Sequence, residues 1–251
     1  MIELAELVAY LDEFLDVRGV PDSERAHNGL QVENDGKVSR LAAAVDASGA
    51  AIQAARSAGA DLLLVHHGLF WDDQRPLTGW RYRRIRDLVT GGIAVYGAHA
   101  PLDVHPKVGN NAVLAAEIGL EPEGGFASDG GIDLGLWGRL SIRREALAAR
   151  LDEVLGRPVK LIPGGPERLE RVGIITGGAG GLIAQALASG LDAFITGEGA
   201  HHTYFDAMEG GINVYYGGHY ATEVWGVRAL AAHLESRFGI PWTFLDLPTG
   251  L

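Results

Sequence analysis

The chain has 251 residues, of which 47% are hydrophobic and 21% are charged, and its formal net charge is −11. This composition is typical of a compact globular protein with one large or two small domains, and it argues against disorder. The negative charge disfavours a broad nucleic-acid-binding face. The absence of cysteine excludes disulfides and thiolate zinc sites, so any metal must be held by histidine and carboxylate side chains.

The amino-terminal segment 1–16, MIELAELVAYLDEFLD, carries acidic residues where a secretory signal peptide carries basic ones. Its apolar spacing predicts an amphipathic helix. The longest apolar runs have the length of strands, as at 62–65, and none approaches a membrane span. We therefore expect a cytoplasmic protein without a membrane partner.

From residue 39 onward, short β-rich runs alternate with alanine-rich helical runs, a pattern that indicates α/β layers. Strands are predicted at 40–46, 60–65 and 93–98. Helices are predicted at 48–59, with Ser48 as the N-cap, and at 80–92. The basic stretch 80–89 of the second helix is typical of a solvated face. A phosphate-facing or subunit-facing patch is the alternative.

The second half of the chain repeats this order. Segment 126–170 contains a strand, a helix and a strand that introduce it. The elements that follow are a strand at 171–177, a helix at 181–190, and strands at 191–196 and 210–216. An edge strand is predicted at 241–247. We accordingly predict two α/β lobes, 1–125 and 126–251, with mixed sheets flanked by helices.

The two halves also align in detail. SAGADLLLVHHG at 57–68 aligns with ASGLDAFITGEG at 188–199, and GGIAVYGAHAPLD at 91–103 aligns with GGINVYYGGHYATE at 210–223 with one inserted residue. This similarity predicts an internal duplication of one βαβ-type unit, the alternative being two unrelated α/β segments. It pairs His99 and Asp103 with His219 and Glu223, and in each pair the imidazole and the carboxylate share a helix face.

A further pair, His66 and His67, ends an apolar strand, where α/β sheets usually bind ligands. Adjacent residues of a strand point to opposite sides, so these two can serve two metals, or one metal and one hydrogen bond. Taken singly, each candidate is also explained as a structural histidine, a cap or a surface contact. Five nitrogen and oxygen ligands at strand ends together indicate a site for two divalent ions, with Glu223 bridging: His66, His67, Asp103, His219 and Glu223. Zinc, iron, manganese, nickel and cobalt all suit such ligands.

Six segments carry a resemblance to a known family: NGLQV at 28–32, VDAS at 45–48, HHGLFW at 66–71, AHAPLDVHPKVGNN at 98–111, DAFITGEGAHH at 192–202 and GGHYATEVWGV at 217–227. They span nearly the whole chain in the right order. The sequence resembles the GTP cyclohydrolase I type 2 homologs, the Ngg-interacting-factor-like metal-binding proteins, in their short form. Two departures, His27 before NGL and Gly68 after the double histidine, touch no proposed ligand but alter the pocket wall.

The resemblance implies a dimetal site at the same five positions, two intertwined α/β lobes with the metals between them, and a ring-shaped homohexamer. By the repeat, Glu198 stands at the position of His67, so Glu198 or His202 is predicted as a supporting group or proton shuttle, with a polar loop contact as the alternative. His99 is predicted to contact substrate or to orient Asp103. The glycines of TGGAGG at 176–181 form either an anion cradle or a plain tight turn.

Several functions fit these features. The family name suggests a metal-dependent hydrolase that opens the ring of a nucleotide such as GTP, and phosphoester or amide hydrolysis is a second enzymatic possibility. The non-enzymatic alternative is a metal-handling or regulatory ring protein. Nucleic acid is disfavoured as a partner by the net charge, and a small-molecule substrate is expected.

Overall fold

The computed structural model describes residues 1–71 and 75–250. The chain folds into two compact units. The first contains Met1–Leu102 and Gly226–Leu247, and the second contains Asp103–Trp225 and the carboxyl-terminal residues from Pro248. Each unit has a β-sheet flanked by helices, so the predicted mixed α/β fold is confirmed. Among the helices of the described residues, none is both long and apolar enough to cross a bilayer.

The elements of the first unit, with α9 shared, are β1 (Ile2–Glu3), α1 (Leu4–Phe14), β2 (Gly29–Val32), β3 (Lys37–Val38), β4 (Leu41–Asp46), α2 (Gly49–Ser57), β5 (Leu62–His67), α3 (Gly79–Gly91), β6 (Ala94–Gly97), α9 (His219–Phe238) and β13 (Trp242–Phe244). Its main sheet has the order β13-β4-β5-β6-β2. Strands β4, β5 and β6 run parallel, while β2 is antiparallel to β6. The predicted edge strand is confirmed by β13, which pairs with β4 at one edge.

The strands β4 and β5 are buried along nearly their whole length, as expected for parallel strands that are covered on both faces. The helices α2 and α3 connect the parallel strands. Helix α2 begins as predicted, because the Ser48 hydroxyl accepts a hydrogen bond from the Ala51 amide at 3.1 Å. Helix α3 ends at Gly92, whose φ of 62° is the left-handed conformation that favours glycine.

The remaining elements are α4 (Ala100–Asp103), α5 (Asn110–Glu117), β7 (Glu121–Asp129), β8 (Ile132–Arg143), α6 (Arg144–Leu155), β9 (Lys160–Pro163), β10 (Arg168–Ile174), a 3₁₀ helix (Ala179–Leu182), α7 (Ile183–Ala188), β11 (Ala193–Thr196), α8 (Thr203–Gly210) and β12 (Asn213–Tyr216). The second sheet has the order β7-β8-β10-β11-β12-β9. Again three consecutive strands, β10, β11 and β12, run parallel. The antiparallel strand β7 was not expected, because the Pro122 and glycine content of EPEGG is unfavourable for a strand.

Each unit contains an aspartate with the same pattern of hydrogen bonds to backbone groups, at positions that the sequence alignment of the two halves pairs. Asp61 precedes β5, and Asp192 precedes β11. The backbone N–H of each aspartate donates to a carbonyl oxygen that lies just before the preceding parallel strand in the first unit and within it in the second. The backbone oxygen of each aspartate accepts a hydrogen bond from the first amide of the next parallel strand. The N···O distances of these bonds lie between 2.9 and 3.1 Å. Each carboxylate also accepts hydrogen bonds from two consecutive backbone amides of that preceding segment.

The compact units divide the chain at other positions than the predicted boundary between residues 125 and 126. Asp103 falls in the second unit, and residues 226–247 return to the first. The return has a packing cause, because the later part of α9 contacts α1. The Tyr10 hydroxyl lies 2.5 Å from a ring nitrogen of His233, and the Phe14 ring stacks on His233 with centroids 4.3 Å apart.

Candidate metal centre

Strand β5 ends with two histidines, and a third histidine follows β6. The ring centroids of His66 and His67 are 4.7 Å apart, and that of His99 lies 5.0 Å from His66 and 5.7 Å from His67. One nitrogen of each ring lies within 4.8 Å of the others. The first unit therefore brings three imidazoles together at the carboxyl ends of parallel strands, where ligand sites of α/β sheets are found.

Each of these imidazoles is held through its Nδ1 atom. His66 Nδ1 lies 2.8 Å from the Ala98 carbonyl oxygen, and His67 Nδ1 lies 2.8 Å from Asp46 Oδ1. His99 Nδ1 lies 2.9 Å from Asp22 Oδ1. Because carbonyl and carboxylate oxygens only accept hydrogen bonds, Nδ1 carries the hydrogen and the lone pair of the neutral ring lies on Nε2. Partners of this type orient histidines that bind metals.

Asp22 anchors the loop before β2 to the start of α4. Besides His99, its carboxylate accepts hydrogen bonds from the Asn28 side chain at 2.8 Å and from the Ala100 amide at 3.1 Å. Burial by itself would raise the pKa of Asp22, but the hydrogen bond and charge of His99, with help from Asn28, lower it to about 2. At neutral pH the Asp22 carboxylate is therefore negatively charged beside the His99 ring.

In the second unit, His219 begins α9 and Glu223 follows one turn later. His219 Nε2 lies 3.2 Å from Glu223 Oε2, and His219 Nδ1 lies 2.8 Å from Glu198 Oε1. The hydrogen bond to Glu223 is the main cause that raises the pKa of His219 to about 9; burial opposes it and Glu198 adds to it. Glu223 is 2% exposed. The carboxylates thus concentrate negative potential around one imidazole, which suits a cation.

Asp103 is a further carboxylate of this unit, in addition to Glu198 and Glu223. A carboxylate oxygen of Asp103 and one of Glu223 lie within 4.8 Å of each other. The Asn110 side chain donates a hydrogen bond to Asp103 Oδ1 at 2.8 Å, and the Thr176 hydroxyl donates to the same oxygen at 3.2 Å. These donors fix one oxygen of the carboxylate, and a pair of carboxylates favours the binding of a divalent cation.

The glycine segment 176–181 bends at Gly177 and Gly178 and continues into the 3₁₀ helix Ala179–Leu182, and Gly177 lies next to Glu223. Gly177 has a φ of 69°, and a Cβ built on it would lie 2.1 Å from Glu223 Oε1. The Gly177 amide donates to the Thr222 hydroxyl at 3.0 Å, and its carbonyl oxygen accepts from the Gly197 and Glu198 amides. The Gly177 amide thus has a partner within the protein, and the absence of a side chain at this position leaves room for the Glu223 carboxylate.

The other predicted residues take distinct places. Glu198 holds His219, as a supporting group would, and its side chain is half exposed. His99 joins the histidine cluster and is held by Asp22. His202 is exposed at the start of α8, next to the exposed His201. The basic stretch lies on α3, whose Trp80 and Tyr82 side chains are exposed.

The sequence analysis missed two carboxylates that position imidazoles. Asp46, the partner of His67, lies within the segment VDAS at the end of β4, so its place at a strand end could have revealed it. Asp22, the partner of His99, lies in an irregular segment with no periodic pattern. Only the folded chain shows that pairing.

The donor set fits divalent metal ions, because it combines imidazole nitrogens presented through Nε2 with carboxylate oxygens, of which those of Glu223 are buried. The structure thus contains His, Asp and Glu groups that can hold a metal ion. The first unit contains a group of three imidazoles, and the second contains carboxylates around one imidazole.

Comparison with known proteins identifies the family. The sequence pattern of Duf34/NIF3 (NGG1p interacting factor 3) matches residues 2–249. The chain belongs to the Duf34/NIF3 family. Its relatives include a "GTP cyclohydrolase 1 type 2 homolog" of Deinococcus radiodurans, 45% identical over 98% of this chain and 94% of the relative, and one of Archaeoglobus fulgidus, 40% identical over 100% of both. The predicted family resemblance is confirmed.

Solved structures of similar proteins confirm the fold. Protein ybgI, described as of unknown function, superposes with a TM-score of 0.93 at 37% identity and 100% coverage of both chains. TTHA1606 from Thermus thermophilus superposes with a TM-score of 0.89 at 42% identity, also over 100% of both chains.

Proposed function

We propose that this Duf34/NIF3 protein is a metal-dependent hydrolase that acts on a nucleotide-like small molecule. It binds two divalent ions through five side chains: His66, His67, Asp103, His219 and Glu223. The observation that carries this proposal is the shared arrangement of the imidazoles, each held by an oxygen acceptor at Nδ1. Such support at Nδ1 is typical of histidines that bind metals, because it orients the ring with Nε2 toward the ion.

The chain's own residues have distinct tasks in this proposal. Asp46 and Glu198 hold the rings of His67 and His219 in the orientation that presents Nε2. Thr176 and Asn110 fix one oxygen of Asp103. When bound, a pair of divalent ions supplies Lewis acidity and orients the reacting groups of a hydrolysis. Zinc, iron, manganese, nickel and cobalt all suit the donors.

The substrate class comes from the relatives. Their printed name, "GTP cyclohydrolase 1 type 2 homolog", supports hydrolytic ring opening of a purine nucleotide as the reaction to test first. A hexameric ring remains a prediction from the family resemblance.

The matching hydrogen bonds of Asp61 and Asp192 support the internal duplication. We infer that the two parallel three-stranded segments arose from one βαβ-type unit. By this inference Asp103 and Glu223 are equivalent carboxylates that have kept a ligand role in both copies.

The test combines metal analysis with turnover. After loading with each candidate metal and removal of excess ions, elemental analysis should find two ions per chain in the native protein. Glu223→Gln and His66→Ala should each lower the metal content. Glu235→Gln is the matched control, because Glu235 is an exposed glutamate on the same helix. Its metal content should equal that of the native protein.

Turnover is measured as release of formate from GTP by each metal-loaded form. We expect release by the native protein and the control, and loss with loss of metal. Absence of turnover with every metal tested would contradict hydrolysis of GTP. Full activity in variants that have lost both ions would contradict a metal-dependent reaction. Two tightly bound ions without turnover on a wider panel of nucleotides, phosphoesters and amides would favour the non-enzymatic metal-handling alternative.

A further inference from the structure

The three imidazoles of the first unit form a group that the proposed five-residue ligand set uses only in part. His66 and His67 belong to that set, whereas His99 does not. One ring nitrogen of each histidine lies within 4.8 Å of a ring nitrogen of the other two. His66 is 1% exposed, while the side chains of His67 and His99 are 17% and 28% exposed. The group thus extends from the buried end of β5 to the surface, where a dissolved ion can reach it.

His99 is held in the same way as its two neighbours. Its Nδ1 lies 2.9 Å from Asp22 Oδ1, just as His67 Nδ1 lies 2.8 Å from Asp46 Oδ1. Because the oxygen accepts the hydrogen of Nδ1, the lone pair of the neutral His99 ring lies on Nε2. His99 therefore offers the same donor atom as His66 and His67, with a partner of the type that orients metal-binding histidines.

The carboxylates behind the imidazoles balance the charge of one divalent ion. Three neutral imidazoles carry no charge, so a divalent cation held by them alone keeps its full positive charge. Asp46 and Asp22 lie one hydrogen bond behind His67 and His99. Their two negative charges match the charge of one such ion, and carboxylates in this position also raise the basicity of the imidazoles. The number and the place of these carboxylates thus fit an ion that is bound by the three rings.

Trp71 lies against the more exposed part of the group. Its ring is nearly perpendicular to that of His99, with centroids 4.8 Å apart, and its centroid lies 5.7 Å from that of His67. Its Nε1 donates a hydrogen bond to the Gly68 carbonyl oxygen at 2.9 Å, which fixes the indole to the loop that follows β5. An apolar ring beside ligands of this kind limits the access of water to a bound ion.

We propose that His99 is a metal ligand, and that His66, His67 and His99 together hold one divalent ion within the first unit. Because all three donors are imidazole nitrogens, this site prefers zinc or nickel to manganese. Three protein ligands leave a coordination position open, as in catalytic zinc sites. The inference rests on the proposed metal binding and adds a sixth ligand to its five. It predicts that this ion stays bound when a carboxylate ligand of the second unit is removed.

The test follows the ring nitrogens directly by two-dimensional NMR of protein labelled with ¹⁵N in its histidine side chains. Coordination to zinc shifts the resonance of the coordinating nitrogen. Native protein and Glu223→Gln are each loaded with zinc and freed of excess ions. We expect Glu223→Gln to retain one zinc ion per chain, with shifted Nε2 resonances of His66, His67 and His99. The exposed His202 is the internal control, and its resonances should stay unchanged.

A parallel measurement uses manganese in place of zinc. Glu223→Gln loaded with manganese should lose the ion on gel filtration, because the remaining donors are imidazole nitrogens. Retention of manganese and loss of zinc under the same conditions would overturn the assignment of three nitrogen ligands.

His99→Gln, made in the Glu223→Gln background, measures the contribution of His99. Loss of a direct ligand should weaken zinc binding by more than the about 10–100-fold that accompanies loss of an outer partner of a ligand. Asp22→Asn in the same background removes only such a partner, so its effect should fall within that range. His202→Gln is the matched control and should leave the affinity unchanged. Competition with a fluorescent chelator measures all three variants.

A His99 resonance that stays unchanged while zinc is bound would overturn the proposal. This measurement needs no substitution at His99, so it decides the matter even if His99→Gln does not fold. An effect of His99→Gln no larger than that of Asp22→Asn would make His99 a positioning residue and would also overturn the proposal. Shifted His99 resonances without turnover of GTP would contradict the hydrolase function alone. Turnover with an unshifted His99 would contradict the ligand assignment alone.

Discussion

The parallel strands β5 and β11 hold equivalent places in the two units, yet different chemistry follows them. Both are preceded by an aspartate that makes the same backbone hydrogen bonds, Asp61 in one unit and Asp192 in the other. In the first unit, His67 is held by Asp46. In the second unit, Glu198 stands at the position of His67 and itself holds His219. At equivalent positions of the sheet, the first unit therefore carries an imidazole that is held by a carboxylate, and the second carries a carboxylate that holds an imidazole of another element.

A second difference lies one strand away. Aligned by the same offset, Asp46 of the first unit corresponds to Gly177 of the second. In the first unit this position carries the carboxylate of Asp46, which orients the His67 imidazole. In the second unit it carries glycine, and the absence of a side chain leaves room for Glu223. The two units therefore share backbone hydrogen bonds and differ in the volume of the side chain at this position.

The largest test of this comparison is Gly177→Ala. The new Cβ would be strained by the φ of 69° and would lie 2.1 Å from Glu223 Oε1. We expect a loss of about 3 kcal/mol or more of unfolding free energy, since backbone strain and a buried clash combine, together with reduced metal content. Denaturant unfolding and elemental analysis measure the two effects.

Gly190→Ala is the matched control, because Gly190 has a φ of 67° and a Cβ there meets no described atom within 4 Å. It should cost only the backbone strain, about 1–2 kcal/mol, and leave the metal content unchanged. Equal losses in the two variants would show that the approach of Glu223 does not depend on the missing side chain.

The next test compares Asp61 and Asp192, the aspartates that make matching backbone hydrogen bonds in the two units. Asp61 accepts hydrogen bonds from the Ser39 amide, the Ser39 hydroxyl and the Arg40 amide, whereas Asp192 accepts from the Glu170 and Arg171 amides. We expect Asp61→Ala to lower the unfolding free energy by about 2–3 kcal/mol and Asp192→Ala by somewhat less, because more donors lose their partner in the first case. Urea unfolding curves provide the measurement.

If the hydrogen bonds of Asp61 and Asp192 have the same structural role, both variants should leave the number of metal ions bound per folded chain unchanged. A large effect of one substitution beside none of the other would argue that the matching hydrogen bonds serve different purposes in the two units.

The smallest expected effects concern the carboxylates that hold imidazoles. Asp22 is 9% exposed and Glu198 is 51% exposed at the side chain. The Glu198→Gln variant should weaken metal affinity by about tenfold, at the lower end of the range for partners of metal-bound histidines, because water screens an exposed carboxylate. Competition with a fluorescent chelator measures this affinity.

The Asp22→Asn variant provides the comparison in the first unit. Because the Asp22 side chain is only 9% exposed and also accepts hydrogen bonds from Asn28 and the Ala100 amide, this substitution should reduce the unfolding free energy more than Glu198→Gln does. A larger destabilisation by Glu198→Gln would contradict the assignment of Glu198 as an exposed support.

Much of the fold was predictable because its signals are local. Apolar runs between glycines marked β4, β5 and β6, and Ser48 marked the start of α2, since a hydroxyl at that position satisfies a helix amide. The antiparallel strand β7 escaped prediction, because its pairing with β8 outweighs the unfavourable propensity of Pro122 and its neighbours.

The sequence by itself determined the family, the α/β class and the candidate ligands, because histidines and carboxylates at strand ends are visible without coordinates. Only the tertiary structure showed that Asp22 holds His99 and that Gly177 makes room for Glu223. These relations join residues distant in sequence or depend on the volume left by a missing side chain. Sequence periodicity and residue spacing reveal neither kind of relation, because they describe neighbours along the chain and not neighbours in space.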